Sequence, residues 1–259
     1  LLRKLQQAVP SVQNELMSAL IQDLSRPIFE SAVLEVGQLN NVIEEFCASL
    51  EGWMTPEIKP SVVNPNAKVQ IKDEPRGVVL IIGPWNVPFS LVMEPLVVAI
   101  AAGNCAIVKP SEMTPNVSKV IAKLVSSVFE PEVAVVIEGG VPETTELLAL
   151  PFDHIFFTGS PNVGKIVMRA AAEHLTSVTL ELGGKSAFLV DKKTNLKKAA
   201  FSLAHKGTMN CGQVCMAPDY ILIDKDQEAD FIKELKAAWD EMYYKDGVDR
   251  KSTRLNSSH

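Results

Sequence analysis

Apolar positions recur at helical spacing from Ser11 to Leu24, where Leu16, Leu20 and Leu24 share a face, and Arg26-Pro27 ends the pattern. A second amphipathic helix is predicted from about Glu30 to Leu50, with Val36, Leu39, Ile43, Phe46 and Leu50 stepping by three or four. Pro56, Pro60 and Pro65 mark a linker. Val69-Gln70-Ile71-Lys72 then alternates as an exposed strand does.

A regular beat follows. Val78 to Ile82 reads as a β-branched apolar strand, and Pro88 to Ala102 as a buried helix that stops at Gly103. Ala106 to Val108 is a strand, Asn116 to Phe129 a helix, Val133 to Ile137 a strand and Glu143 to Leu150 a short helix. His154 to Thr158 is a strand, Val163 to Leu175 a helix and Val178 to Leu182 a strand. Strands alternating with helices imply a doubly wound parallel α/β sheet. Ligands of such sheets sit at the carboxyl ends of the strands. Pro84-Trp85-Asn86, Lys109 to Glu112 and Thr158 to Gly164 all fall there. A second unit opens near Lys185, with strands at Ala187 to Val190 and Tyr220 to Ile223 and helices at Leu196 to Lys206 and Gln227 to Tyr244.

Composition narrows the classes. The chain has 25 basic and 31 acidic residues, a net charge of −6, and no basic run, so no nucleic-acid partner is expected. Cys47, Cys105, Cys211 and Cys215 are too scattered for a secreted disulfide framework. Cys211-x-x-x-Cys215 lacks the partners of a zinc site, so no metal is expected. The chain starts without Met and without a signal-peptide layout, and is expected to begin inside its natural sequence. The apolar run from Gly77 to Val108 is interrupted by Pro84, Asn86, Pro88, Pro95 and Asn104, which favours strand, loop, helix and strand over a membrane span.

The chemistry gathers in Asn210-Cys211-Gly212-Gln213-Val214-Cys215, a small, polar loop between a helix and a strand. Such a loop can offer a thiolate to a cleft together with backbone N–H groups. The alternatives are a turn with two buried cysteines, or a Cys–His hydrolase using His205. Glu181 interrupts an apolar strand, where an unpaired buried carboxylate is costly, so it reads as a poised general base or a salt-bridged residue. Phe157 to Gly164 is a strand, glycine turn and helix start, by itself a weak nucleotide signal.

Pro84-Trp85-Asn86, Lys109-Pro110-Ser111-Glu112, Thr179-Leu180-Glu181-Leu182-Gly183-Gly184-Lys185-Ser186 and Gly212-Gln213-Val214-Cys215, in this order, resemble the aldehyde dehydrogenase superfamily. Cys215-Met216-Ala217-Pro218-Asp219-Tyr220 is similar to its class 3 branch. The resemblance reaches about Val248. It implies N-terminal helices over 1–60, a linker and bridging strand over 61–76 and a Rossmann-like NAD(P)-binding domain over 77–184. A partial aldehyde dehydrogenase-like α/β catalytic domain would cover 185–248.

By the same resemblance Cys215 is the nucleophile that forms a thiohemiacetal. Asn86 and the Cys215 backbone N–H form the oxyanion hole, and Glu181 activates the hydrolytic water. Cofactor contacts fall to Trp85, Lys109, Glu112, Thr158, Gly159, Ser160, Val163, Gly164, Leu182 and Gly183. The implied cofactor is NAD or NADP, with Glu112 accepting from ribose hydroxyls. The implied substrate is a medium- or long-chain aliphatic or aromatic aldehyde, oxidised to the acid. The alternative is a non-catalytic nucleotide-binding relative of the same fold. A homodimer is implied at full length, and a cytoplasmic location, with a lost targeting segment or a membrane-attaching C-terminal segment left open.

Residues 249–259 match nothing expected of the family and read as a non-native tail on a truncated chain. A Glu-x-Phe-Gly-Pro motif that contacts the nicotinamide ribose in the family is absent. The fragment alone is therefore expected to be inactive, with Val190, Tyr220, Ile221, Ile223, Phe231 and Trp239 forming an exposed apolar patch. Two residues depart from the pattern. Cys211 puts a second thiol near the nucleophile, which opens a disulfide, and Ala187 replaces a frequent proline.

Overall fold

The computed structural model describes residues 1–64, 66–245 and 248–249. Five parallel strands form its main sheet: β3 (Val78–Ile82), β4 (Cys105–Lys109), β5 (Ala134–Val136), β6 (His154–Gly159) and β7 (Ser177–Leu182). Their order across the sheet is β5-β4-β3-β6-β7. From β3 the chain winds outward to β4 and β5, then returns across β3 to begin β6. The winding direction thus reverses between β3 and β6, and a crevice opens there at the strands' carboxyl ends.

Helices α4 (Ser90–Ala101), α5 (Pro115–Val128), α6 (Val141–Leu148) and α7 (Pro161–Ala172) connect these strands. The sheet's two faces carry separate cores. One gathers Val79, Ile81 and Val108 with residues of α4 and α5. The other gathers Leu80, Ile82, Ile155 and Phe157 with Leu147, Leu148 and Val167. Burial on both faces explains why these strands read as apolar runs. Gly103 ends α4 at φ 82°, and the N–H of Asn104 turns back to the carbonyl of Ala99.

The N-terminal helices join the first core. Helix α1 (Leu2–Leu24) starts nine residues earlier than predicted, because Leu2, Leu5, Val9 and Val12 continue its buried stripe and Pro10 faces solvent. Asp23 of α1 caps α5, accepting from the Val117 N–H at 2.9 Å and from Asn116 Nδ2 at 2.6 Å. That places a carboxylate at the positive end of α5. The second predicted helix is broken into α2 (Ile28–Ser31), a π-helical turn (Ala32–Gly37) and α3 (Gln38–Trp53). Its predicted face holds, with Val36, Leu39 and Ile43 buried.

The proline-marked linker contains a strand that its sequence hides. β1 (Glu57–Lys59) pairs antiparallel with β2 (Val69–Ile71), away from the main sheet. All three residues of each strand are exposed, so no apolar alternation announces β1.

After β7 comes a smaller unit. β8 (Ser186–Val190) pairs in parallel with β9 (Pro218–Ile223), and α8 (Leu196–Thr208) and α9 (Glu228–Tyr243) cover one face. That face packs Val190, Leu203, Phe231 and Leu235, with Phe188 and Ile223 against them. The expected apolar patch is therefore redrawn: Val190 and Phe231 are buried. In the register, Ala187 lies beside Tyr220 and Leu189 beside Leu222, and these four form the open face. A two-stranded element, β10 (Tyr244–Lys245) and β11 (Val248–Asp249), follows. The tail expected over 249–259 lies outside the described residues apart from Asp249. No helix among the described residues is long and apolar enough to cross a membrane.

Candidate active site

A cleft of about 750 Å³ lies at the carboxyl edge of the main sheet, over the β3/β6 switch point. Strand β3 leads into Gly83-Pro84-Trp85-Asn86 on its floor. A Cβ on Gly83 would stand 2.0 Å from Cγ2 of Val92, so glycine lets the loop pass over α4. The Asn86 side chain reaches across to the cysteine loop, its Nδ2 donating to the Gln213 carbonyl at 2.8 Å.

The cysteine loop is shaped by backbone conformation. After α8, a 3₁₀ turn (Met209–Gly212) carries three successive residues at positive φ: Asn210 at 50°, Cys211 at 57° and Gly212 at 74°. Left-handed residues in sequence reverse the chain sharply. Gln213 braces the reversal from its backbone N–H (3.1 Å) and its Nε2 (2.9 Å), both donating to the Asn210 carbonyl. Cys215 emerges beyond it, exposed and on the cleft wall. Cys211 and Cys215 are unpaired and exposed in this conformation.

Glu181 pairs in register with Thr158 of β6 near the end of β7. It lines the cleft but is exposed, not buried as its apolar neighbours suggested. The reason is position: β7 is the outer strand of the sheet, and Glu181 lies one residue from its end. A Cβ on Gly184 would be 3.7 Å from the Cys215 carbonyl, so the end of β7 and the cysteine loop adjoin.

On the other side Lys109 ends β4, 2% exposed, with its Nζ donating to the Pro110 carbonyl at 2.6 Å and 3.8 Å from Glu112. Burial pushes its pKa below the usual 10.5, while Glu112 and Glu143 pull it back upward. Ser160 caps α7, accepting from the Val163 N–H at 3.3 Å, and Thr158, Gly159, Ser160 and Val163 all line the cleft. The α7 N-terminus there presents backbone N–H groups to any anion in the cleft. Leu182 and Gly183 complete that wall.

Twelve of the thirteen expected site residues thus meet in one cleft, and Gly164 does not line it. Gly164 is buried, and a Cβ there would be 2.8 Å from Leu182 Cδ2, so it lets α7 approach β7. His205 lies exposed on α8 and is not among the cleft residues. Sequence reasoning missed a wall formed by Val141, Thr144, Thr145 and Leu148 of α6 with Ile166 of α7.

It also missed a buried network under the floor. Arg26 and Glu35 are both 0% exposed and form an ion pair. Arg26 Nε donates to Asn210 Oδ1 at 3.1 Å, and its Nη2 donates to the Asn86 carbonyl. Glu35 accepts from the N–H groups of Phe89 (3.2 Å) and Ser90 (2.8 Å). Burial pushes the Glu35 carboxyl above its usual range, and Arg26 with those N–H groups pulls it part of the way back.

The aldehyde dehydrogenase family model matches residues 1–256. The chain belongs to the aldehyde dehydrogenase family. It is 45% identical over 243 residues to 4,4'-diaponeurosporen-aldehyde dehydrogenase of Staphylococcus aureus, covering 93% of this chain and 53% of that protein. It is 42% identical to aldehyde dehydrogenase family 3 member A2 of Macaca fascicularis, over 93% of this chain and 50% of that one. It is 40% identical to the dimeric NADP-preferring aldehyde dehydrogenase of Canis lupus familiaris, over all of this chain and 58% of that one. A substrate-bound Staphylococcus aureus AldH structure matches with a TM-score of 0.90 and 44% identity, over 95% of this chain and 54% of that one. The chain spans about half the length of the curated relatives it matches.

Proposed function

We propose that the full-length protein oxidises an aldehyde to a carboxylic acid with NAD or NADP, through a covalent intermediate on Cys215. The observation that carries this is the meeting of Cys215, Asn86 and Glu181 in the cleft that also holds Lys109, Glu112 and the α7 N-terminus. The residues present suit a dinucleotide. Amide donors at α7 fit a pyrophosphate, and Lys109 and Glu112 offer a cation and an acceptor to ribose hydroxyls. Trp85, Leu182 and Gly183 line the same cleft as the thiol. NAD(P), when bound there, would supply a hydride acceptor.

The chain's own groups do the rest. The Cys215 thiolate adds to the aldehyde carbon. Asn86 holds one amide proton on Gln213 and has a second to offer the developing oxyanion, beside the Cys215 N–H. Glu181, open to the cleft, draws a proton from the water that hydrolyses the thioester. The motif resemblance to the class 3 branch implies a medium- or long-chain aliphatic or aromatic aldehyde, and the relative named dimeric supports a homodimer.

The deciding experiment mixes the full-length protein with a panel of aldehydes and NAD or NADP and follows absorbance of the reduced cofactor. Aldehyde-dependent reduction is expected. A full-length, folded protein that binds nucleotide and reduces none would return the chain to the non-catalytic reading.

A further inference from the structure

We propose that Arg26 and Asn210 are positioning residues that set the Asn86 amide against the Cys215 loop. The inference rests on the oxyanion role given to Asn86 above. Neither residue lines the cleft: Arg26 is 0% and Asn210 1% exposed. Both act on the same atom. The Asn86 carbonyl accepts from Arg26 Nη2 and from Asn210 Nδ2, the latter at 2.8 Å. Asn210 Nδ2 also lies 3.1 Å from the Gln213 carbonyl, which receives the Asn86 side chain. The backbone of Asn86, its side chain and the cysteine loop are therefore tied to a single buried amide.

The residue types suit the task. A guanidinium is a planar fork of fixed donors, so contacts to Glu35, Asn86 and Asn210 fix all three relative to one another. An asparagine tolerates the left-handed conformation at residue 210 and carries both an acceptor for Arg26 and donors for the two carbonyls. Glu35 holds the far end of the same loop through Phe89 and Ser90. The floor loop is thus clamped at Asn86 and at the start of α4.

The test uses the full-length enzyme and a double-mutant cycle. Asn210→Asp keeps the acceptor facing Arg26 and removes the donor to Asn86. It should lower kcat by about ten- to a hundredfold, the scale of small displacements in a catalytic site. KM and cofactor affinity should stay unchanged. In an Asn86→Ala background the same substitution should cost much less than it does in the wild type, because the part that acts through the Asn86 amide is already lost and only the bond to the Gln213 carbonyl remains to be felt. Arg26→Lys, which keeps the cation but not the fork, is the second variant and should show the same pattern. If Asn86→Ala lowers kcat while Asn210→Asp and Arg26→Lys leave it unchanged, or multiply with it independently, the positioning role is wrong. If Asn86→Ala leaves kcat unchanged, the oxyanion reading itself is wrong.

Discussion

The Asn86 side chain donates to the Gln213 carbonyl at 2.8 Å, so the loop after β3 and the loop that carries Cys215 touch through a named hydrogen bond. The two loops lie 127 residues apart in the chain. In the proposed reaction, that contact sets where the aldehyde oxygen would meet amide donors as its carbon meets the thiol.

Cys215→Ser in the full-length protein should reduce aldehyde oxidation by at least about a thousandfold, the scale seen when a covalent nucleophile is removed. Nucleotide affinity should be unchanged, because Lys109, Glu112 and the α7 N-terminus are untouched. Steady-state rates and a cofactor titration check both halves. Near-normal turnover would sink the nucleophile assignment.

Glu181→Gln should separate the two chemical stages. The first turnover should appear as a burst of reduced cofactor, followed by a steady state slowed by about 10²- to 10⁴-fold, the range of a lost general base. Rapid mixing reads both phases. Loss of the burst together with the steady state would place Glu181 in an earlier step.

Lys109→Met should weaken nucleotide binding by about tenfold or more, the worth of a charged hydrogen bond. Stability should move the other way. Burial depresses the Lys109 pKa below 10.5, so in the window beneath 10.5 the unfolded chain holds more protons than the folded one. Wild-type stability therefore rises with pH through that window. The melting-temperature advantage of Lys109→Met should be largest near neutral pH and shrink toward pH 10.5. An advantage that grows with pH would contradict the burial cost.

The 259-residue chain expressed alone should self-associate through the open face of β8 and β9. Leu189 is 73% exposed, Leu222 50% and Tyr220 46%, and they adjoin across the two strands. Contiguous apolar surface of this kind promotes association. Leu189→Glu with Leu222→Lys should raise the monomer fraction in light scattering. Phe231→Glu, on the covered face, should instead unfold the unit. Equal self-association of wild type and double variant would move the sticky surface elsewhere.

The main sheet was legible because strands buried on both faces leave apolar runs, as β3, β4 and β6 do, while β7 at the edge is broken by Thr179 and Glu181. The candidate site was legible because its residues sit in short contiguous stretches, at strand ends and in the loop after α8. What stayed hidden depends on contacts between distant segments. Arg26 reads as a helix end before Pro27, yet its partners lie 9, 60 and 184 positions away. One local signal existed: Glu35 falls four residues before Leu39 and eight before Ile43, on a stripe that is buried. A carboxylate there demands a buried partner. The π-helical turn around Glu35 left no such mark. The exposure of Glu181 followed from β7 being the outer strand, and strand order is not written in any one strand's composition.

The bond from Arg26 to Asn210 spans 184 positions. A ribosome delivers the first partner long before the second, and domains form in that order as the chain emerges. Every strand of the main sheet precedes Asn210, so the crevice at its edge can take shape while the thiol loop is still unmade. Closing so long a loop carries an entropic cost that only prior folding of the intervening chain reduces. Of the described cleft residues, Cys215 is therefore the last to be locked, and a nascent chain carries the crevice of the main sheet before it carries an anchored thiol.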